Sequence, residues 1–387
     1  MPQRIYMDAN AGAPLLREVR DSLVETLSLA SNPSSVHSEG RRARGLVERA
    51  RGQVAALVGA RTEGVTFTSG ATEAAVLALS PTLSRGSETV RLGRLYVGAT
   101  EHPCVLAGGR FAPEDVERLP ARADGRIDLD TLEARLAAHD YATGAPLVAL
   151  MLANNETGIV NPVSEAARIV KSHGGFVFCD AVQAAGRIPF SIDELGVDFL
   201  SLSAHKLGGP QGVGALVSAS EDLRPASLLR GGGQERYKRA GTENVTGIVG
   251  FGIAAELFGI YLNSVGELAR LRDELEAGLI EISPEIGIMG RDLARLPNTT
   301  LFVVPGVAAE TAVIAFDLQG IAVSAGSACS SGKVAASHVL EAMGLPFDLA
   351  RSGIRVSLCV DASRADIHRF IAAWREIYPR LRQGRAA

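Results

Sequence analysis

Short apolar runs separated by amphipathic stretches set the rhythm of the first two-thirds of the chain. Residues 65–68, 95–97, 147–152, 176–179, 199–202 and 213–217 have the length and composition of buried strands. Apolar positions recur at helical spacing over 15–29, 38–58, 129–138 and 163–172, and Gly70-Ala-Thr-Glu73 opens another helix. Strands alternating with helices predict βαβ units, hence an α/β fold with a mostly parallel sheet sandwiched by helices. After Gly252 the rhythm changes. The pattern predicts one long helix over 254–283, with a break near Asn263. Shorter elements come next: strands at 300–303, near Val323 and at 354–357, and helices at 311–318, 336–343 and 365–381. Fewer strands and segregated helices predict a smaller α+β C-terminal domain. The expected division is a large domain over 15–255 and a small one over 256–387, with an irregular arm, 1–14, packed on the latter.

Composition narrows the function. A chain of 387 residues, 47% hydrophobic, is long enough for two cores, and a net charge of −4 gives no electrostatic footprint for nucleic acid. Arg41, Arg42, Arg44, Arg49 and Arg51 interleave with Val47, Val54 and Leu57 at helical spacing, which predicts a solvated helix face. The first residues lack a signal-peptide pattern, and the apolar stretch 245–262 carries Glu256 and four glycines, so a buried helix is expected and no membrane span. Cys104, Cys179, Cys329 and Cys359 are scattered with no C-x-x-C pair, which fits a reducing, cytoplasmic setting without a disulfide framework or zinc site. Gly250-Phe-Gly-Ile-Ala-Ala255 imitates a dinucleotide fingerprint but comes after no strand; close helix packing through small residues is expected instead.

The candidate chemistry gathers where the predicted strands end, which is where open α/β sheets bind ligands. The run starting at Asp198 ends in Ser203, His205 and Lys206 before Gly208-Gly-Pro210. A lysine held among apolar neighbours deprotonates more easily and can form a Schiff base. Asp180 ends the preceding strand, with Gln183 one turn on. His102 comes after the strand at 95–97, and Asn154-Asn-Glu-Thr-Gly158 after the one at 147–152. Thr68-Ser-Gly-Ala-Thr-Glu73 offers backbone N–H groups and the Thr72 hydroxyl at a helix N-terminus, either as a capping box or as an anion site. An amine, a carboxylate, an imidazole and amide donors are what one cofactor crevice needs. Arg355 is unusual in a buried strand unless it meets an anion. Cys329 lies among Ser, Gly and Ala in Ser324–Gly332, which predicts an exposed loop carrying a nucleophile; Cys104, Cys179 and Cys359 adjoin apolar strands and are expected in the core.

Together with Asn32-Pro-Ser-Ser-Val-His37, Gly231-Gly-Gly-Gln-Glu-Arg236 and Ala240-Gly-Thr-Glu-Asn244, these stretches cover nearly the whole chain. In that order they resemble the cysteine desulfurases of the class V aminotransferase-like group, pyridoxal-phosphate enzymes of fold type I. The resemblance implies that Lys206 carries the cofactor as a Schiff base and moves protons. It also implies that Asp180 pairs with the pyridine nitrogen, Gln183 contacts the phenolic oxygen and His102 stacks on the ring. Ala71, Thr72, Ser203 and His205 would surround the phosphate, and Thr242 would reach it from the partner subunit of a homodimer. Asn155 is implied at both cofactor and substrate, with Arg355 on the substrate carboxylate. Cys329 would take sulfur from L-cysteine as a persulfide, releasing L-alanine, and pass it to an acceptor or scaffold protein such as one of iron–sulfur cluster assembly. No metal is implied beyond transient contact of Cys329 with such a cluster. Lys333 is a further expected electrostatic aid to the thiol. The chain departs from the group's usual pattern at Gly12-Ala13, Ala75, Cys104 and Cys359-Val360. A selenocysteine lyase or related aminotransferase is the alternative, needing Lys206 but not necessarily the loop thiol; the presence of both Lys206 and Cys329 argues against a non-catalytic sulfur-relay partner.

Overall fold

The computed structural model describes residues 4–29, 32–262, 265–326 and 336–383. Cys329 and Lys333 lie outside the described residues. In chain order the strands are β1 (Ile5–Tyr6), β2 (Val65–Thr68), β3 (Thr82–Arg85), β4 (Glu88–Gly98), β5 (Val116–Leu119), β6 (Ala145–Met151), β7 (Phe176–Asp180), β8 (Phe199–Ser203), β9 (Gly214–Ser218), β10 (Leu223–Pro225), β11 (Gly287–Ile288), β12 (Thr299–Val303), β13 (Ile321–Ala322), β14 (Ser324–Ala325) and β15 (Gly353–Ser357).

The large sheet runs β10-β3-β4-β6-β7-β8-β9-β2, with β5 also on β4. Its centre, β5-β4-β6-β7-β8, is parallel. The flanks are antiparallel: β9 to β8, β2 to β9, β3 to β4 and β10 to β3. Two reversals leave β2 running in the same direction as β8, so both end at the same edge of the sheet. The strands β6, β7 and β8 are buried almost throughout, as their unbroken apolar runs require. One face packs under helices Ser38–Leu57, Val163–Ser172 and Val245–Tyr261; the other packs under Ala71–Ala78 and Pro103–Leu106. The α/β architecture expected from the pattern is therefore present, with antiparallel flanks around its parallel middle.

The predicted long helix is two, Val245–Tyr261 and Val265–Ile282, bent by 75° at the junction. The first begins nine residues before the expected start because Asn244 caps it, its side chain accepting from Gly247 N at 3.1 Å. It belongs to the large core through Ile248, Phe251 and Phe258, whereas the second helix contributes Leu271, Leu275 and Leu279 to the other core. Gly252 accounts for the fingerprint-like spacing: a Cβ there would stand 2.6 Å from Ala50 Cα, so the two helices touch through it. No single described helix is long and apolar enough to cross a membrane.

The second core is built on β11-β12-β15-β14, with Trp374 stacked on Phe316 and edge-on to Phe302. The arm joins it through β1, which pairs in parallel with β13, and through Asp8, which bridges to Ser357.

The arginine-rich helix corrects one expectation. Arg41, Arg42, Arg44 and Arg49 are exposed, but Arg51 is buried. Its guanidinium takes both Glu235 carboxylate oxygens, at 2.7 and 2.9 Å, and donates to Val65 O at 3.0 Å. Glu235 also accepts from Phe67 N. The pair fastens Glu235, Arg236 and Tyr237, three successive non-glycine residues with φ of 46°, 55° and 66°, conformations that need outside support.

Candidate active site

Parallel strands in one sheet end on one side, and the side chains just beyond them meet there. Asp180 is the last residue of β7. Ser203 ends β8, and Lys206 closes the helical turn after it. His102 caps the short helix after β4, and Asn155 lies in the turn after β6. Because β2 runs with β8, the N-terminus of helix Ala71–Ala78 arrives at the same edge. A cavity of about 330 Å³ joins them. Ala71, Thr72, His102, Asn155, Asp180, Gln183, Ser203, His205, Lys206 and Arg355 all line it. Thr242 is exposed and is not on this wall.

The polar groups are held from behind. Asp180 Oδ1 accepts from Val182 N at 3.0 Å and from the Ser201 hydroxyl at 3.2 Å. Burial raises its carboxyl pKa, against the pull of Val182 N–H, His102, Ser201 and Lys206. A cationic ring nitrogen would supply the missing compensation. Burial lowers His102, helped by Lys206 and His338 and opposed by Asp180. His205 falls to about 4 through burial and the nearby Lys206 and Arg187, so it is a neutral donor at physiological pH. Gln183 donates to Asn10 O at 3.0 Å while its carbonyl accepts from Arg187 at 2.5 Å, which fixes the amide's orientation.

Arg355 is buried on β15, where its Nη2 pairs with Asp8 at 2.7 Å and its Nη1 donates to Asn155 O at 2.9 Å. Among the described residues its buried Nε has no hydrogen-bond acceptor. An anion reaching it is the partner that an arginine in a buried strand calls for.

Several contributors gave no signal in the sequence. The arm lies across the cavity: Lys206 Nζ donates to Asn10 O at 2.5 Å and Ala11 O at 2.9 Å, and Asn10 and Ala11 line the wall. These are backbone carbonyls, so no residue type announces them. Cys104, expected in the core, is instead on the cavity wall, with Sγ 3.0 Å from His102 Nδ1. It comes after a proline at the start of a short helix rather than sitting in the strand, and that turn aims it at the cavity. Cys179 and Cys359 are buried.

The donor set fits pyridoxal phosphate: a lysine, a carboxylate for a ring nitrogen, an imidazole, and a helix N-terminus beside hydroxyl groups for a phosphate. The cavity volume is also within the range of small-ligand sites.

Comparison with known proteins agrees with this chemistry. The aminotransferase class-V family model matches residues 5–370, and the chain belongs to that family. Among its relatives, the cysteine desulfurase of Trichormus azollae is 41% identical over 384 residues, covering 98% of this chain and 94% of that protein. A NifS-like protein from Rickettsia africae superimposes with a TM-score of 0.88 at 35% identity, over 97% of this chain and all of the other. A structure described as SspA in complex with cysteine superimposes with a TM-score of 0.74 at 30% identity, over 92% of this chain and 98% of that one.

Proposed function

We propose that this chain is a pyridoxal-phosphate-dependent cysteine desulfurase that converts L-cysteine to L-alanine and leaves a persulfide on Cys329. The observation that carries the reading is the convergence of Lys206, Asp180, His102, Asn155 and Arg355 on one cavity. Bound pyridoxal phosphate supplies an aldehyde for amine exchange and a ring that accepts the electrons of a Cα–H bond. Asp180, oriented by Val182 N–H and Ser201, keeps a proton on the ring nitrogen. Thr72, Ser203 and His205 would hold the phosphate, joined by Thr242 of a second copy of the chain. Arg355 and Asn155 would orient the substrate carboxylate in the cavity that Lys206 also lines, leaving its amine to act on the Cα proton. The lysine amine would take that proton.

Position 329 is three residues beyond Gly326, at most about 11 Å of chain. Gly326 lies against Glu156, the neighbour of Asn155: a Cβ at Gly326 would stand 2.9 Å from the Glu156 carboxylate. Ser337, after the undescribed stretch, donates to the same carboxylate at 2.5 Å. Gly326 and Ser337, on either side of the segment carrying Cys329, therefore both lie against Glu156, the chain neighbour of cavity-lining Asn155, which supports Cys329 as the acceptor thiol. The persulfide would be handed to an acceptor protein, with iron–sulfur cluster assembly as the proposed use.

The test is incubation of the holoprotein with L-cysteine, then mass spectrometry of the Cys329 peptide and assay of alanine. One added sulfur atom on that peptide, with alanine formed, is expected. Keto-acid-dependent transamination with an unmodified Cys329 would replace this reading with an aminotransferase.

A further inference from the structure

We propose that Cys104 is a positioning residue for His102: its backbone N–H and its thiol together hold the imidazole with Nδ1 as acceptor and the ring proton on Nε2. The two contacts converge on one nitrogen. Cys104 N donates to His102 Nδ1 at 3.3 Å, and Cys104 Sγ lies 3.0 Å from it. A backbone N–H only donates, so the nitrogen it faces carries a lone pair. The thiol is able to donate as well. Burial, with the charges of Asp180 and Glu101, raises it to about 12, so it stays protonated. The geometry thus sets the S–H of Cys104 against Nδ1 beside the backbone N–H.

The consequence concerns where His102 takes up a proton. Protonation at Nδ1 would oppose the Cys104 N–H and remove the acceptor of the S–H group. The charged and titratable groups around the ring are Asp180, which favours the imidazolium, and Lys206 and His338, which oppose it. Glu101 precedes it in sequence, and burial raises its carboxyl well above the usual carboxylate value. Those groups are unchanged by removing the thiol, so a Cys104 variant isolates the S–H contribution. A neutral hydrogen bond of ordinary strength corresponds to about half a pH unit, a threefold change in proton affinity. Alanine at this position leaves the backbone donor and removes only the thiol. Serine restores a donor.

The proposal rests on His102 facing the cofactor cavity, and its test separates it from the proposed activity. Nitrogen NMR of histidine-labelled protein reports the tautomer directly, with a His102→Gln variant identifying the signal. In wild type, with or without pyridoxal phosphate, Nδ1 should be the unprotonated nitrogen. In Cys104→Ala the titration should move up by about half a unit, and Cys104→Ser should return it toward wild type. In the holoenzyme the acidic limb of the kcat/KM profile for cysteine should move with it. Cofactor absorbance and Tm of the three proteins should coincide. A protonated Nδ1 in wild type, or the same His102 titration in wild type and Cys104→Ala, overturns the proposal. Absence of turnover in wild type would instead defeat the desulfurase reading, leaving the NMR result to decide this one.

Discussion

Glu156 makes a prediction that runs against the usual expectation for a buried, hydrogen-bonded carboxylate. It is 3% exposed, and Ser337 donates to it at 2.5 Å. Burial outweighs that bond and the attraction of Arg355, and raises its pKa from 4.5 to about 7. A carboxyl whose folded pKa exceeds its unfolded one contributes stability that is complete below the unfolded value and is lost as pH rises through the folded value. The window here is from 4.5 to about 7. At 1.36 kcal/mol per pKa unit the loss is about 3 kcal/mol. Glu156→Gln keeps the size and an acceptor for Ser337 but has no proton to lose. Denaturation of both proteins should be measured at about pH 5, near the low end of the window, and at about pH 8, above it. Moving from the lower to the higher pH should shift the comparison by about 2–3 kcal/mol in favour of glutamine, or roughly 3–4 °C in Tm for a chain of 387 residues. Other buried acids such as Asp180 and Glu101 titrate in both proteins and cancel in the difference. A gap between the two proteins that stays constant across this range would refute the reasoning.

The geometry sets three further outcomes. Lys206→Ala should abolish turnover and the visible absorbance of the Schiff base, with serial spectra during addition of pyridoxal phosphate as the check. Arg355→Lys should raise KM for cysteine by about 10- to 100-fold while the cofactor spectrum persists, since a lysine cannot reproduce the fork that spans Asp8, Asn155 and a substrate carboxylate. Glu235→Ala leaves the Arg51 guanidinium buried and Phe67 N–H without its acceptor, and should cost about 3–5 kcal/mol in denaturant unfolding.

The parallel centre of the large sheet was legible because burial on both faces writes an unbroken apolar run, as in β7 and β8. The site was legible for the same reason: once those runs are strands, the residues just beyond each one are bound to a common edge. The hairpin of β3 and β4 was not expected in full. Around Gly86, with φ of 60°, both strands are polar and half exposed, so no apolar run marks them. Arg51 was misplaced because helical spacing cannot reveal an acidic partner 184 positions away. The arm escaped notice for a deeper reason. It meets Lys206 through two carbonyl oxygens, and Arg355 through Asp8 at a separation of 347 residues. Carbonyls are common to every residue, so only the fold can say which of them a lysine will find. The same logic separates Asp180 from Cys104. An aspartate at a strand end is costly to bury without a function, and so it stands out. A thiol costs little in a core or on a cavity wall, so its place becomes known only when the turn after Pro103 is seen to aim it at His102.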